Sequence, residues 1–306
     1  MGRRLFVLPV VVACGAAAAA QGTPSAPSTL PAFRTAIELT TVTATVVDRN
    51  GALVPGLPRD AFALYEDGER QTITQFTNTR VPVSLAVLLD VSDSMYGRRL
   101  DDAREAVGRF VGDALERGDE FTIVAFNHRQ QILTPWTSDP DIAAAVMRPL
   151  HPFGSTAIYD AISAALPLAG TRNRQRAALL VISDGADTAS DLAIRDVRAA
   201  LLRHDAFVYA IAIDAPDRRP INAPINAAVL QEITNQTGGR TTVVHGSSDL
   251  SAALDDVAKE LASQYLIGYT SPKGADGRYH TIRVRVHGTD DRVRARSGYV
   301  AGKRWP

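Results

Sequence analysis

Residues 83–95 read VSLAVLLDVSDSM, an apolar run followed at once by carboxyl and hydroxyl side chains. A continuous apolar run of this length is typical of a strand buried on both faces of a parallel sheet. Asp90, Ser92 and Ser94 follow at a spacing of two, so a locally extended loop can direct all three side chains to one side. The stretch therefore predicts a buried strand that ends in a cluster of oxygen donors.

Strand and helix patterns alternate through residues 81–263. Further strands are predicted at residues 121–126, 177–183, 207–213 and 241–244, and helices at residues 100–114, 158–168, 192–202, 227–234 and 250–261. This alternation predicts an α/β fold with a doubly wound, mainly parallel sheet covered by helices on both faces. Ligands of such sheets bind beyond the carboxyl ends of the strands, where the winding reverses.

Both flanks of this segment show the two-residue period of antiparallel strands. Residues 37–80 and 264–300 each supply short strands, too few in either flank to close a sandwich alone. We therefore predict one small antiparallel β-sandwich built from both chain ends, with the α/β domain inserted in it. The predicted boundaries are a signal peptide at 1–20, a flexible linker at 21–36, sandwich parts at 37–80 and 264–300, the inserted domain at 81–263 and a tail at 301–306.

The N-terminus has the order of a secretory signal peptide. Arg3 and Arg4 precede an apolar run at residues 5–12, and an alanine run ends at Ala20. Residues 11–14 also resemble a bacterial lipobox, in which Cys14 would be lipidated and attach the chain to a membrane. Both routes predict export to the periplasm, the cell envelope or the extracellular space.

Composition excludes several classes of function. The 33 basic and 33 acidic residues balance to a formal net charge of zero, and no basic block interleaved with aromatic residues predicts nucleic-acid binding. The single cysteine excludes an internal disulfide framework and a cysteine-based zinc cluster. The six histidines show no metal-ligand spacing.

Oxygen donors occur at three places that the predicted sheet brings to one edge. They are Asp90, Ser92 and Ser94 after the first strand, Thr156 in a loop before a helix, and Asp184 after a second apolar strand. Taken singly, each segment is better explained as a helix cap or a turn. Together, on strand ends and in this order, they favour a site for a hard cation such as Mg²⁺.

In these residues the chain resembles a von Willebrand factor type A domain, and the five positions match the metal-ion-dependent adhesion site of that family. The resemblance implies that Ser92, Ser94 and Thr156 contact the metal through their hydroxyls, and that Asp90 and Asp184 hold it largely through water. The implied ion is Mg²⁺, with Mn²⁺ or Ca²⁺ as alternatives. The implied ligand is a carboxylate from a partner protein, which completes the coordination.

The flanks resemble one subgroup, the VWFA-related proteins common in Acidobacteria. The segments that carry this resemblance are DAFALYEDG at residues 60–68, QYLIGY at 264–269 and RSGY at 296–299. Asp93 stands between the two serines, where families of this type often have a small residue.

The sequence favours binding over catalysis. An aspartyl phosphatase would need an aspartate where Ser92 stands, and the chain has neither a Gly-x-Ser-x-Gly elbow nor a phosphate-binding Gly-x-x-x-x-Gly-Lys loop. We therefore predict an exported, metal-dependent protein-binding module that is not an enzyme. A structural or assembly factor of the cell envelope, with a merely stabilising metal, is the alternative, and a metal-dependent hydrolase is a third.

Four charged residues near these motifs have simpler expected roles. Asp160 and Asp187 are expected to act as caps. Arg98 and Arg99 are expected on a solvated face, from which they could steer an acidic partner.

Overall fold

The structure is a computed structural model that describes residues 39–172, 174–184, 187–214, 227–288 and 290–302. Residues Ile37–Pro306 form one compact unit. The predicted signal peptide, the linker and Cys14 lie outside the described residues. The predicted domain boundaries remain predictions.

Fourteen β-strands lie within the described residues. They are β1 (Leu39–Val47), β2 (Phe62–Glu66), β3 (Glu69–Gln71), β4 (Ile73–Thr77), β5 (Val83–Asp90), β6 (Glu120–Phe126), β7 (Gln130–Ile132), β8 (Arg176–Ser183), β9 (Phe207–Ile213), β10 (Thr241–Val244), β11 (Tyr265–Thr270), β12 (Tyr279–Val286), β13 (Arg292–Ala295) and β14 (Gly298–Val300).

Six α-helices lie within the same residues: α1 (Arg98–Arg109), α2 (Pro140–Met147), α3 (Ile158–Ala165), α4 (Ile194–Leu201), α5 (Ala227–Thr237) and α6 (Ser247–Ala262). The helices predicted at residues 100–114 and 158–168 end in other geometry, because a π turn over Phe110–Ala114 follows α1 and a 3₁₀ segment over Leu166–Thr171 follows α3. Helix α2 was not predicted, although Asp139 caps it and Pro140 begins it. No helix in the described part of the chain is long and apolar enough to cross a membrane.

The apolar segment at residues 83–90 forms the central strand β5, as predicted. The six-stranded sheet has the order β10-β9-β8-β5-β6-β7, and its strands are parallel except for β7, which pairs with β6 in the antiparallel sense. All eight residues of β5 are buried. Leu85, Val87 and Leu89 pack in the core beneath α1 and α6, whereas Ala86 and Leu88 pack in the opposite core beneath α3, α4 and α5. The doubly wound α/β fold is therefore confirmed.

Winding reverses at β5. The chain runs from β5 to β6 on one side of the sheet and returns to place β8 on the other side of β5. The carboxyl ends of β5 and β8 therefore lie side by side at the switch point, where α/β sheets bind ligands. Asp90 ends β5, and Ser183 ends β8.

The antiparallel part is a sandwich of two four-stranded sheets, with the orders β13-β1-β11-β4 and β14-β12-β2-β3. Each sheet contains strands from both flanks of the α/β domain, which alternate in the first sheet and form two adjacent pairs in the second. Val42 and Tyr265 of the first sheet share one apolar core with Phe62, Leu64 and Ile282 of the second. The predicted sandwich built from both chain ends is therefore confirmed as a fold.

Strand β1 departs from the simple alternation of its sequence. Val42 and Ala44 face the sandwich core, as the two-residue period predicts. Thr45, on the other face, is also fully buried, and its hydroxyl donates to Glu260 of α6 at 3.4 Å. The threonine face of β1 is buried because it lies against the α/β domain instead of solvent.

His280 of β12 provides a pH-dependent contact within the sandwich. Its Nδ1 lies 2.8 Å from an Asp67 carboxylate oxygen, and its Nε2 lies 3.1 Å from one of Asp276. Burial lowers the pKa of His280, but the two carboxylates outweigh burial and hold that pKa above its ordinary value of 6.5. The folded state therefore favours the protonated imidazole.

We expect His280→Gln to destabilise the protein more at acidic pH than at basic pH. Because the pKa is raised on folding, the stabilisation is fully present below about pH 6.5 and is lost as pH rises through the folded-state value. Urea unfolding of both proteins at about pH 6 and about pH 8.5 measures the difference. A gap between wild type and variant that is equal at both pH values would contradict this assignment.

Candidate metal site

Asp90 lies buried at the end of β5 and accepts hydrogen bonds at both carboxylate oxygens. The Ser92 N–H donates to Oδ1 at 2.8 Å, and the Ser183 hydroxyl donates to Oδ2 at 2.5 Å. Asp90 therefore joins the loop after β5 to the end of β8. The hydrogen bond from the Ser183 hydroxyl to Asp90 was not predicted from the sequence.

Burial governs the protonation of Asp90. Desolvation raises its pKa to about 7, against the lowering effects of the Ser183 and Ser92 hydrogen bonds, and the nearby Asp184 charge raises the pKa further. A cation beside these carboxylates would favour their ionised forms.

The two predicted serine ligands lie together in the loop after β5. A 3₁₀ turn over Asp93–Met95 follows Ser92, and the Ser92 and Ser94 hydroxyl oxygens are 2.9 Å apart. Asp93 is exposed between them. The loop therefore presents two adjacent hydroxyls and directs the intervening carboxylate to solvent.

Backbone hydrogen bonds hold the Thr156 loop against this serine loop. The Phe153 N–H donates to the Val91 carbonyl and the Asp93 N–H donates to the Gly154 carbonyl, both at 2.9 Å. Thr156 follows two residues later and is buried. Its backbone N–H donates to the Thr188 hydroxyl in the loop after β8, at 3.0 Å. The Thr156 segment thus lies between the loops that carry Ser94 and Asp184.

Asp184 follows β8, and its side chain is fully buried. Its Oδ1 atom has no hydrogen-bond partner among the residues that the structure describes, whereas Oδ2 lies 2.5 Å from Arg99 Nη1. Burial raises the pKa of Asp184, and the Ser94 hydroxyl and the Arg99 guanidinium act in the opposite direction. An unpaired buried carboxylate oxygen is costly unless a cation or water satisfies it.

The expectation that Arg99 lies on a solvated face is wrong. Its side chain is 7% exposed, pairs with Asp184 and donates to the Ser94 carbonyl at 2.7 Å. The reason is tertiary: α1 begins directly after the serine loop, and its second residue points toward the end of β8. Arg98 is exposed, as expected.

Two aspartates expected to be caps connect α3 to the loop after β8. Asp187 accepts from the Tyr159 N–H in the first turn of α3 at 3.3 Å, so it does cap a helix, although a distant one. Asp160 accepts from the Asp191 and Leu192 N–H groups, each at 3.0 Å, and so holds that loop instead of capping its own helix. Both contacts fix the position of the Thr156 loop.

The oxygen donors of the site fit a hard cation. The described residues contain no group of three or more His, Cys, Asp or Glu side chains placed to hold a metal ion. This site instead combines two buried carboxylates with hydroxyls, and Asp184 Oδ1 is an acceptor that no residue in the described ranges satisfies. All-oxygen donors of this kind suit Mg²⁺ or Ca²⁺ and not a soft transition metal.

Gly154 supports the site through a conformation that other residues adopt poorly. Its φ is +77°, and a Cβ atom there would lie 2.6 Å from His128 Nδ1. We expect Gly154→Ala to lower the free energy of unfolding by about 1–2 kcal/mol for the left-handed backbone alone, with a further loss from crowding His128. Gly51→Ala is the matched control, because its φ is +86° and no atom of the described residues lies within 4 Å of a Cβ atom placed there. Equal losses for the two variants in urea unfolding would show that crowding at His128 contributes nothing.

The family comparison agrees with this architecture. Residues 85–186 match the family model for the von Willebrand factor type A domain. The match places a von Willebrand factor type A (VWA) domain at residues 85–186. The matched residues include all five predicted ligands, and the match confirms the resemblance to the VWA family. The resemblance of the flanks to the VWFA-related subgroup stays a prediction.

Curated relatives of the chain include larger proteins. It is 24% identical over 212 residues to inter-alpha-trypsin inhibitor heavy chain H4 of Sus scrofa, which covers 64% of this chain and 22% of the relative. The corresponding protein of Bos taurus is 23% identical over 231 residues, covering 69% of this chain and 24% of the relative. The chain thus matches less than a third of the length of these relatives.

Solved structures support the VWA fold. A von Willebrand factor type A protein from Catenulispora acidiphila superposes with a TM-score of 0.54 at 13% identity, covering 78% of this chain and 73% of that one. A mutant of the PilB minor pilin from Streptococcus sanguinis gives a TM-score of 0.50 at 12% identity, covering 61% and 63%. At these identities the likeness concerns the fold alone.

Proposed function

We propose that this protein is an exported, metal-dependent protein-binding module. Its VWA domain would bind Mg²⁺, or Mn²⁺ or Ca²⁺, and capture a carboxylate of a partner protein. The observation that carries the proposal is the buried Asp184 Oδ1, which no described residue satisfies with a hydrogen bond where the loops bearing Ser94 and Thr156 meet. The VWA family match supports an interaction role.

In this proposal the Ser92, Ser94 and Thr156 hydroxyls contact the ion, and Asp90 and Asp184 hold it through water. The ion supplies a positive charge that attracts a carboxylate. The chain's own contribution is to fix the hydroxyls: Asp90 binds the Ser92 N–H, and the Gly154 carbonyl binds the Asp93 N–H. Uncharged hydroxyl ligands leave more positive charge on the ion than carboxylate ligands would.

The surface beside the site suits a protein partner. Tyr96, two residues after Ser94, is 60% exposed, and Phe153, three residues before Thr156, is 57% exposed. Aromatic side chains at an interface contribute large contact areas with little loss of conformational entropy. We propose that they contact the partner around its captured carboxylate, and that the module has no catalytic role. The N-terminal pattern at residues 1–20 supports export to the periplasm, cell envelope or exterior.

Affinity capture from envelope and secreted fractions tests the proposal. The immobilised protein is used in Mg²⁺ and again with a chelator, and Ser94→Ala is run in Mg²⁺ beside it. We expect a set of proteins that is retained in Mg²⁺ and lost in both other conditions. Retention of the same proteins in all three conditions contradicts the proposal and favours the alternative, an envelope assembly factor that binds through other surfaces.

A further inference from the structure

Arg99 brings a permanent positive charge into the proposed metal site. One guanidinium nitrogen, Nη1, donates to Asp184 Oδ2 at 2.5 Å and to the Ser94 carbonyl at 2.7 Å. The side chain is buried, so solvent screens this charge poorly. The same group therefore joins two of the five residues that the proposed function assigns to the ion.

The charge balance of the site depends on this contact. Among the described residues, Asp90 and Asp184 carry a formal charge of −2 when ionised, and Arg99 brings the sum of these three groups to −1. Asp184 Oδ2 is already held by Arg99, which leaves Oδ1 for an ion or its water. A divalent cation at this site would therefore meet both a weaker negative charge and a nearby like charge.

We propose that Arg99 is an internal counter-ion of Asp184 that holds the serine loop to the end of β8 without metal and lowers the affinity of the site for divalent cations. This inference rests on the proposed metal site. Arg99 acts through Asp184 and the Ser94 backbone, so it is a positioning residue and not a ligand. The functional consequence is a site that fills only when the divalent cation is abundant and that keeps its geometry when empty.

The neighbouring Arg98 provides a matched control. It carries the same charge one residue earlier, but its side chain is exposed. Water and salt screen exposed charges strongly, so its effect on a nearby ion is small. Substituting either arginine changes the net charge of the protein equally, and only Arg99 contacts Asp184.

Isothermal titration calorimetry with MgCl₂ on the full chain tests the proposal with three variants. Arg99→Gln removes the charge and keeps a donor, and we expect it to tighten the Mg²⁺ dissociation constant by about tenfold or more. Arg99→Lys keeps the charge and is expected to stay within about threefold of wild type, as is Arg98→Gln. Without metal, Arg99→Gln is expected to unfold at a lower temperature than wild type, because Asp184 loses its counter-ion.

Equal or weaker Mg²⁺ affinity in folded Arg99→Gln overturns the proposal, as does tightening in Arg99→Lys equal to that in Arg99→Gln. If Arg99→Gln unfolds without metal, the rise of its melting temperature with MgCl₂ gives the affinity instead.

Tight binding by wild type and all variants alike overturns this inference and leaves the proposed function standing. Binding by Arg99→Gln alone supports the inference but contradicts metal use by the wild type, and binding by none overturns both.

Discussion

Asp90→Asn is expected to abolish measurable Mg²⁺ binding, weakening it by about a hundredfold or more, while the fold remains intact. The amide has the size of the carboxylate and can still accept from the Ser92 N–H, but it lacks the charge. Burial raises the pKa of Asp90 to about 7, so the charged form is costly in the metal-free protein. Its removal should therefore leave the metal-free melting temperature unchanged or higher.

Calorimetric titration with MgCl₂, combined with thermal unfolding with and without chelator, measures both parts of this prediction. Asp93→Asn is the matched control, because Asp93 is an exposed carboxylate of the same loop. We expect it to change Mg²⁺ affinity by no more than about threefold. If Asp90→Asn binds Mg²⁺ as tightly as wild type, the assignment of the site to Asp90 is wrong.

The second large effect is expected at the junction of the VWA domain and the sandwich. Glu260 of α6 is 2% exposed and is 2.5 Å from Arg294 Nη2 of β13. Its other oxygen accepts from the Tyr209 hydroxyl of β9 at 2.9 Å. The Gln264 amide also donates to Tyr209, at 2.9 Å, and accepts from Arg176 at 2.6 Å. One buried carboxylate thus connects the parallel sheet to the sandwich.

We expect Glu260→Ala to lower the free energy of unfolding by about 3–5 kcal/mol, because the partly buried Arg294 guanidinium loses its carboxylate partner and the buried Tyr209 hydroxyl loses its acceptor. For a chain of this size the melting temperature should fall by about 5–9 °C. Differential scanning calorimetry and urea unfolding give both quantities.

Asp256→Ala is the control for this junction. Asp256 lies one helical turn before Glu260 on α6, and its side chain is 52% exposed and pairs with Lys259 at 3.4 Å. An exposed pair of this kind contributes about 0–1 kcal/mol. A loss for Glu260→Ala no larger than that for Asp256→Ala would show that the buried network does not stabilise the junction.

Most elements of the fold were predictable from local patterns. The run at residues 83–89 predicted β5, and the strands at residues 177–183 and 207–213 were predicted within a residue of β8 and β9. Long apolar runs permit this because a parallel strand buries both faces. Helix α2 was missed because only Ala143 and Met147 of its eight residues are buried, so its apolar pattern is weak.

The candidate site was predictable in part. Three of the ligands could be predicted from their positions at strand ends: Asp90, Ser92 and Asp184. The carboxyl ends of neighbouring strands in a doubly wound sheet lie close together, so these side chains were expected to meet. Ser183 carried the same signal, but a serine at a strand end has many other uses. The burial of Arg99 had no local signal, since a charged residue at a helix start is usually solvated.

The sequence by itself determined which segments are buried strands, which strand ends carry oxygen donors, and that strands from both flanks belong to one sandwich. The strands follow from periodicity, which each segment expresses locally, and the shared sandwich follows from the small number of strands in either flank. Tertiary structure decided the partners of the charged groups: Arg99 with Asp184, Glu260 with Arg294, and His280 with Asp67. Such pairs join residues far apart in the chain, and whether a charge is solvated or buried depends on the element that packs over it.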